Sequence, residues 1–203
     1  LFRSSINVAI GRQTMYNNTT GTGNLGVGTY SLYTNTTGAY NIGVGTSSLF
    51  ANTTANYNTA IGHDTLKANT TGTYNVAIGA LSLDANTTAS SNTAVGYASL
   101  TANTTGTNNV AIGYEALKTN TTGTGNTIVG RMAGFSNTTA SNNTAFGQAA
   151  LYFNTTGTQN VAVGNNALFW NSTANYNTAL GNTALQANTT GASNTAVGSD
   201  SLK

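Results

Sequence analysis

A period of 17 residues runs through the chain and constrains its fold more than any other feature. The pentapeptide Asn-Val-Ala-Ile-Gly of residues 7–11 recurs, with conservative changes, every 17 residues up to residues 194–198, which gives twelve copies without an insertion. Counted from that Asn as position 1, the repeat also holds Leu at position 9 and Asn-Thr-Thr at positions 12–14. Such self-similarity at a fixed period is the signature of an array of identical supersecondary units.

The repeat is too short for a helical hairpin, and its composition favours β-structure. Short β-branched runs punctuated by Gly and Asn predict strands joined by turns. Two short strands and two corners per repeat would make one coil of a β-solenoid, and twelve coils at the strand spacing would form a rod about 55–60 Å long. We therefore predict an all-β parallel β-solenoid of twelve 17-residue coils, with residues 1–203 as a single domain and a segment of a longer fibrous protein. The alternative is a disordered low-complexity tract, but an apolar residue at position 4 of all twelve copies argues against it.

Stacking of coils explains the constant Asn and Gly positions. Identical residues one coil apart lie above one another, so Asn side chains at positions 1 and 12 can hydrogen-bond along the stack, as in cross-β arrays. The Asn-Thr-Thr triplets also match the N-glycosylation sequon, but their strict register predicts a structural role. Position 5 is Gly in all twelve copies, which predicts a corner that needs either a positive φ or the absence of a side chain. Position 15 is Gly in seven copies and Ala in four, which predicts a need for a small side chain.

One irregular copy predicts which side chains point inward. Position 9 is Leu or Met except at Gly134, and in that copy position 3, otherwise Ala or Gly, is Ile128. A lost Leu beside a gained Ile keeps the volume of one cavity constant, so positions 3 and 9 should both face the interior. Alternation along the strand then points positions 2 and 4 outward. The opposite arrangement, with position 4 inside and Ala outside, is the alternative.

An outward position 4 would form a continuous apolar column. Apolar stripes of such length are rare on soluble monomers, so we expect this column to lie in an oligomer interface. The candidate interface residues are Ile10, Val27, Val44, Ile61, Ile78, Val95, Ile112, Val129, Phe146, Val163, Leu180 and Val197.

The pentapeptides Asn-Val-Ala-Ile-Gly and Asn-Thr-Ala-Val-Gly resemble a known signature. They are similar to the Asn-Ser-Val-Ala-Ile-Gly motif of the YadA-like heads of trimeric autotransporter adhesins and of related bacterial and phage trimeric fibre proteins. The resemblance covers all twelve copies through a five-residue core. It implies a left-handed parallel β-roll, a homotrimer whose inner strands pack around a common axis, and an extracellular location on a cell surface or a virion fibre. The present repeat is longer and carries the Asn-Thr-Thr corner.

Composition and the scarcity of ionisable residues argue against several functions. Charged residues are 5% of the chain, against roughly 25% in typical globular proteins. The chain has no basic stripe of the kind that binds nucleic acid. No apolar run approaches the ~20 residues of a membrane helix. His63 is the only His, and the acidic residues fall in coils too far apart to share a metal, so we expect no catalytic residue, no metal and no cofactor. The acidic residues are Asp64, Asp84, Glu115 and Asp200.

Aromatic residues gather at position 10 and could either bind a ligand or stabilise the stack. Stacked exposed rings can bind the faces of sugars or apolar protein surfaces. They can also form ladders that stabilise neighbouring coils, and we favour this structural role. The candidate ligand-binding residues are Phe135, Tyr152, Phe169 and Trp170, with a glycan or an extracellular protein as the ligand. Lys67 and Asp84 occupy position 10 of adjacent coils and are expected to form an exposed ion pair.

Two functions fit the sequence. The first is a non-catalytic structural or adhesive head or fibre module of a trimeric surface adhesin or phage fibre, which binds host or surface ligands. The alternative is an ice-binding β-solenoid with regular Thr and Asn arrays. Against the alternative, an extended Asn-Thr-Thr segment would place its two Thr on opposite sides and mix Asn with Thr in the outer column.

Overall fold

The protein forms one parallel sheet of twelve short strands, each contributed by one repeat. The computed structural model describes residues 6–203, so residues 1–5 of the predicted domain lie outside the described part. Consecutive strands are neighbours in the sheet and pair in register, residue i with residue i + 17, as in Ala94 opposite Ala111. This topology confirms the all-β parallel solenoid, and the twelve strands delimit about eleven turns. The strands are β1 Val8–Ile10, β2 Leu25–Val27, β3 Ile42–Val44, β4 Thr59–Ile61, β5 Val76–Ile78, β6 Thr93–Val95, β7 Val110–Ile112, β8 Thr127–Val129, β9 Thr144–Phe146, β10 Val161–Val163, β11 Thr178–Leu180 and β12 Thr195–Val197.

The second side of each coil differs from the predicted second strand. Positions 7 and 9 adopt left-handed backbone angles, with φ of 53° at both Glu115 and Leu117. Extended strands cannot continue through such residues. Inter-coil hydrogen bonds persist nevertheless: the Leu117 amide donates to the Ala133 carbonyl at 3.0 Å, and the Glu115 amide donates to the Tyr97 carbonyl at 2.9 Å. The prediction of two strands per repeat is therefore wrong, although both sides of the coil are hydrogen-bonded to their neighbours.

The left-handed conformation also explains the restricted choice of residues at position 9. Branching at Cβ makes a positive φ strongly unfavourable, and position 9 holds only Leu, Met or Gly, never Ile or Val. Apart from Leu202 in the last coil, which is 65% exposed, the leucines at this position are almost fully buried between the two sides of the coil. Burial of an apolar side chain without a branch at Cβ thus offsets the backbone cost, which is about 1–2 kcal/mol per residue.

The interior is built from positions 3 and 9, as predicted. Apart from Ala9 and Leu202 in the end coils, the Ala residues at position 3 and the Leu residues at position 9 form one continuous core, to which the Ala residues at position 8 also belong. Ile128 is 1% exposed. A Cβ atom added to Gly134 would lie 3.4 Å from Ile128 Cγ2 and 3.2 Å from Leu117 Cδ1, so Ile128 fills the space that a Leu occupies in the other coils. The inward orientation of positions 3 and 9 is confirmed.

Both Asn columns are scaffold, as predicted. At position 12, ten side-chain hydrogen bonds of 2.7–3.3 Å join each Asn Nδ2 to the Oδ1 of the preceding coil, from Asn18 to Asn188. At position 1, the Asn Oδ1 accepts a hydrogen bond from the backbone N–H of the Asn one coil later. The Asn109 N–H, for example, donates to Asn92 Oδ1 at 3.0 Å. Position 12 is buried in all coils except those of Asn18 and Asn188. The Asn of the sequon therefore faces the interior in the folded protein.

The two Gly positions meet different requirements. At position 5, φ lies between 120° and 143° in all twelve copies, as predicted. A Cβ atom at Gly113 would also lie 2.5 Å from the Gly130 carbonyl oxygen, so neither backbone angle nor space allows a side chain. At position 15 no Gly has a positive φ. Ala140 occupies this buried position with 1% exposure, which confirms that the requirement there is small size.

Candidate interaction surfaces

The outward column at position 4, called the ridge below, is exposed along the whole solenoid. Ile61, Ile112 and Phe146 are 39%, 39% and 42% exposed, whereas the Ala residues at position 3 beside them are fully buried. The remaining ridge residues are exposed or half-buried. These exposures confirm the predicted outward orientation and reject the alternative in which position 4 forms the interior.

The ridge is uninterrupted in length and contains no charge. Every residue at position 4 is apolar, and position 2 beside it holds only Val, Leu, Ile or Thr. Since the strands pair in register, eleven intervals at the strand spacing make the ridge about 53 Å long. A continuous apolar column of this length is rare on a soluble monomer.

The predicted ligand-binding residues are brought together in an aromatic cluster formed by Phe135, Tyr152, Phe153, Phe169 and Trp170. The rings of Phe135, Tyr152 and Phe169 stack in one column, with centroids 5.1 and 5.3 Å apart. Phe153 and Trp170 stack in a second column at 4.4 Å, and the two columns meet edge to face. The predicted ladder is confirmed by this geometry.

The stacking restricts how the aromatic cluster could hold a ligand. Phe135 and Phe169 cover the two faces of the Tyr152 ring. Lys118, one coil before Phe135, places its Nζ 5.4 Å from the centroid of the Phe135 ring. Trp170 is 48% exposed, and its column continues with the small residue Ala187. Ligand binding by the cluster stays a prediction, and Trp170 is its most accessible member.

We expect replacement of Tyr152 and Phe169 by Ser to lower the melting temperature, because two stacked contacts worth roughly 0.5–1.5 kcal/mol each are lost together with buried area. Circular dichroism would measure the melting temperature, and binding would be measured against a panel of glycans and matrix proteins. Tyr176→Ser is the matched control: Tyr176 is 58% exposed, and Ser91 and Ser193 occupy the same repeat position with similar φ. Unchanged melting with lost binding would show that the rings form a ligand site instead of a ladder.

Sequence reasoning missed two further aromatic ladders. At position 17, the rings of Tyr40, Tyr57 and Tyr74 stack at 5.3 and 5.2 Å, and all three side chains are exposed. At position 6, Tyr97 and Tyr114 stack at 5.4 Å. The common spacing of 17 residues within each set is the signal that could have identified them.

The ion pairs differ from the predicted one. Lys67 Nζ binds Asp64 Oδ2 at 3.1 Å within its own coil, whereas Asp84 accepts a hydrogen bond from the Thr101 hydroxyl of the next coil. The expected pair between Lys67 and Asp84 is therefore wrong. Every Lys of the chain instead pairs with an acid three residues earlier, because the left-handed turn at position 7 directs that acid toward position 10.

Hydrogen bonds and ion pairs shift the pKa values of two groups. The hydrogen bond with Glu115 raises the pKa of Lys118, and hydrogen bonds from Thr183 and Lys203 lower the pKa of Asp200. His63 Nδ1 lies 3.7 Å from Asp64 Oδ2, and its side chain is 61% exposed. Within residues 6–203, no group of three or more His, Cys, Asp or Glu is arranged to hold a metal ion.

Comparisons of the chain with known proteins add no assignment to this geometry. No protein-family model, curated protein or solved structure matches the chain. In the part of the chain that the structure describes, no helix has the length and apolar character needed to cross a membrane.

Proposed function

We propose that the protein is a non-catalytic structural and adhesive module of a trimeric surface fibre, with the ridge as the contact between subunits. The observation that supports this proposal is the exposed, uncharged apolar column that continues through twelve coils. Leaving this column in water is unfavourable, and packing it against other copies of the chain would remove it from solvent.

The ridge offers a contact along the whole length of the solenoid. It is about 53 Å long, and position 2, which also faces outward, lies about 7 Å away along each strand. Rotation about an axis parallel to the solenoid would place each layer against the same layer of the other chains, since the strands are in register. The choice of three subunits follows from the resemblance to trimeric adhesin heads.

Variation among the copies supports a role in recognition for the outer surface. The core positions and the ridge hold similar residues in every coil, whereas the mostly exposed positions 6 and 17 and the mostly half-buried position 10 range from Gly and Ala to Tyr, Lys and Asp. A rigid rod with variable side chains on its surface is suited to bind glycans or extracellular proteins at many points. This function requires a location outside the cell, on a cell surface or a virion fibre.

Light scattering would test the proposal directly. We expect the parent protein to have the mass of a trimer, and the double variant Ile61→Asp/Ile112→Asp to lose it, because each substitution places an unpaired charge in an apolar interface. Both residues lie on the ridge. Gln148→Asp/Asn165→Asp, with the same change in charge at exposed position 6, is the matched control and should remain trimeric. A parent protein that is monomeric at high micromolar concentration would contradict the proposal.

A further inference from the structure

Position 14 forms an exposed column of identical residues on a surface separate from the ridge. It is Thr in every copy of the Asn-Thr-Thr triplet, and every one of these side chains is exposed. The column, called the threonine face below, consists of Thr20, Thr37, Thr54, Thr71, Thr88, Thr105, Thr122, Thr139, Thr156, Thr173 and Thr190.

Hydrogen bonds within the fold explain why position 13 holds Thr or Ser, but they do not explain the Thr at position 14. The position-13 hydroxyls donate to the backbone carbonyl at position 13 of the next coil in ten consecutive steps of 2.9–3.3 Å. No hydroxyl of the threonine face makes a hydrogen bond to another group within residues 6–203. Each of these hydroxyls therefore keeps its donor and acceptor capacity for solvent or a ligand.

Other exposed positions show that exposure alone does not keep a residue constant in this array. Position 6 holds residues as different as Arg12, Tyr97 and Ser199. Position 17, which is exposed in every copy, includes Tyr57, Ser91 and Gln159. The threonine face has no variation at all, although its hydroxyls are free. A function of the surface itself accounts for this constancy better than folding does.

The structure also removes the objection raised by the sequence against a regular hydroxyl array. The Asn at position 12 is buried, and the Thr at position 13 is half-buried in all but the terminal coils, so the outer column contains Thr alone. Position 16, beyond the small residue at position 15, is half-buried in every copy except that of Ala192 and is not part of the threonine face. The predicted mixture of Asn and Thr in the outer column is therefore wrong.

We propose that the threonine face orders water and binds the surface of ice. Its hydroxyls repeat at the strand spacing of about 4.8 Å, close to a repeat of the oxygen rows in hexagonal ice, and β-branching restricts each side chain to few rotamers. Such a preformed array loses little conformational entropy when it matches a lattice. The column contains no charge that would retain a disordered hydration shell.

Thermal hysteresis and inhibition of ice recrystallisation measure this activity. The parent protein should show both, and Thr105→Tyr/Thr122→Tyr should lose most of the hysteresis, because two bulky rings separate the array from the ice surface. Gln148→Tyr/Asn165→Tyr, with equal bulk at exposed position 6, should retain the activity. Circular dichroism would establish that both variants keep the melting temperature of the parent.

Two results would overturn the inference. One is a folded parent protein with neither thermal hysteresis nor recrystallisation inhibition; the other is an equal loss of activity in the threonine variant and its control. Position 14 lies ten residues after the ridge position in each coil, so ice binding and subunit contact are assigned to different residues. The mass of the assembly therefore tests the trimer independently of the ice-binding measurements. A monomeric parent that inhibits ice growth would contradict the trimeric fibre and support the threonine face.

Discussion

Asn103→Ala is expected to destabilise the protein by roughly 2–6 kcal/mol, because Asn86 Oδ1 and Asn120 Nδ2 each lose a buried hydrogen bond at a cost of about 1–3 kcal/mol. The Gly106 carbonyl would keep its hydrogen bond from Asn92 Nδ2. Asn103 Nδ2 donates to Asn86 Oδ1 at 3.1 Å and to the Gly106 carbonyl at 3.0 Å. Its Oδ1 accepts from Asn120 Nδ2 at 2.9 Å. Since each coil contacts only its neighbours, the loss would interrupt the ladder in the middle of the solenoid.

Urea denaturation followed by circular dichroism would measure this change in the free energy of unfolding. Asn165→Ala is the matched control, because Asn165 is exposed and its side chain makes no hydrogen bond within the described residues; its effect should be within about 0.5 kcal/mol of zero. A loss below about 1 kcal/mol for Asn103→Ala would mean that water replaces the ladder at little cost.

Ile128→Ala should cost about 2–5 kcal/mol by opening a cavity, and Gly134→Leu should largely reverse that loss. Gly134 has φ of 57°, close to the 53° of Leu117 at the same repeat position, so its backbone already accepts Leu. Alone, Gly134→Leu should also destabilise the protein, because the new side chain would overlap Ile128.

The four proteins of this cycle would be compared by the same urea denaturation. The double variant restores the combination of Ala and Leu that other copies contain, so its stability should exceed that of either single variant by more than 1 kcal/mol. Additive losses in the double variant would show that the two side chains do not share one cavity.

The sequence was sufficient to predict the solenoid, its register and the orientation of the strand. The 17-residue period determined the stacking, and the compensation between Ile128 and Gly134 identified the interior. The Asn ladders followed from the same stacking. These features depend on which residues lie one coil apart, and the period provides that information directly.

The remaining features depend on backbone angles that the sequence pattern did not reveal. Leu is uncommon at positive φ, so the left-handed residues at position 9 were missed and a second strand was expected instead. The same left-handed turn brings Asp64 to Lys67, so Asp84 accepts a hydrogen bond from the Thr101 hydroxyl instead of pairing with Lys67. Of the candidate surfaces, the outward direction of the ridge was predictable, whereas the separate environments of positions 13 and 14 required the hydrogen bonds of the structure.

Because residue i pairs strictly with residue i + 17, the length of this rod can change only by whole coils. Removal of residues 92–108 would join Ser91 to Asn109 and shorten the rod by one coil of about 4.8 Å, with every column intact. Removal of one residue fewer would bring Asn108 to position 1 and shift all later side chains to the wrong face of the strand. Recombination between copies of the repeat can therefore change the length of the solenoid in whole steps while the fold of each coil stays the same.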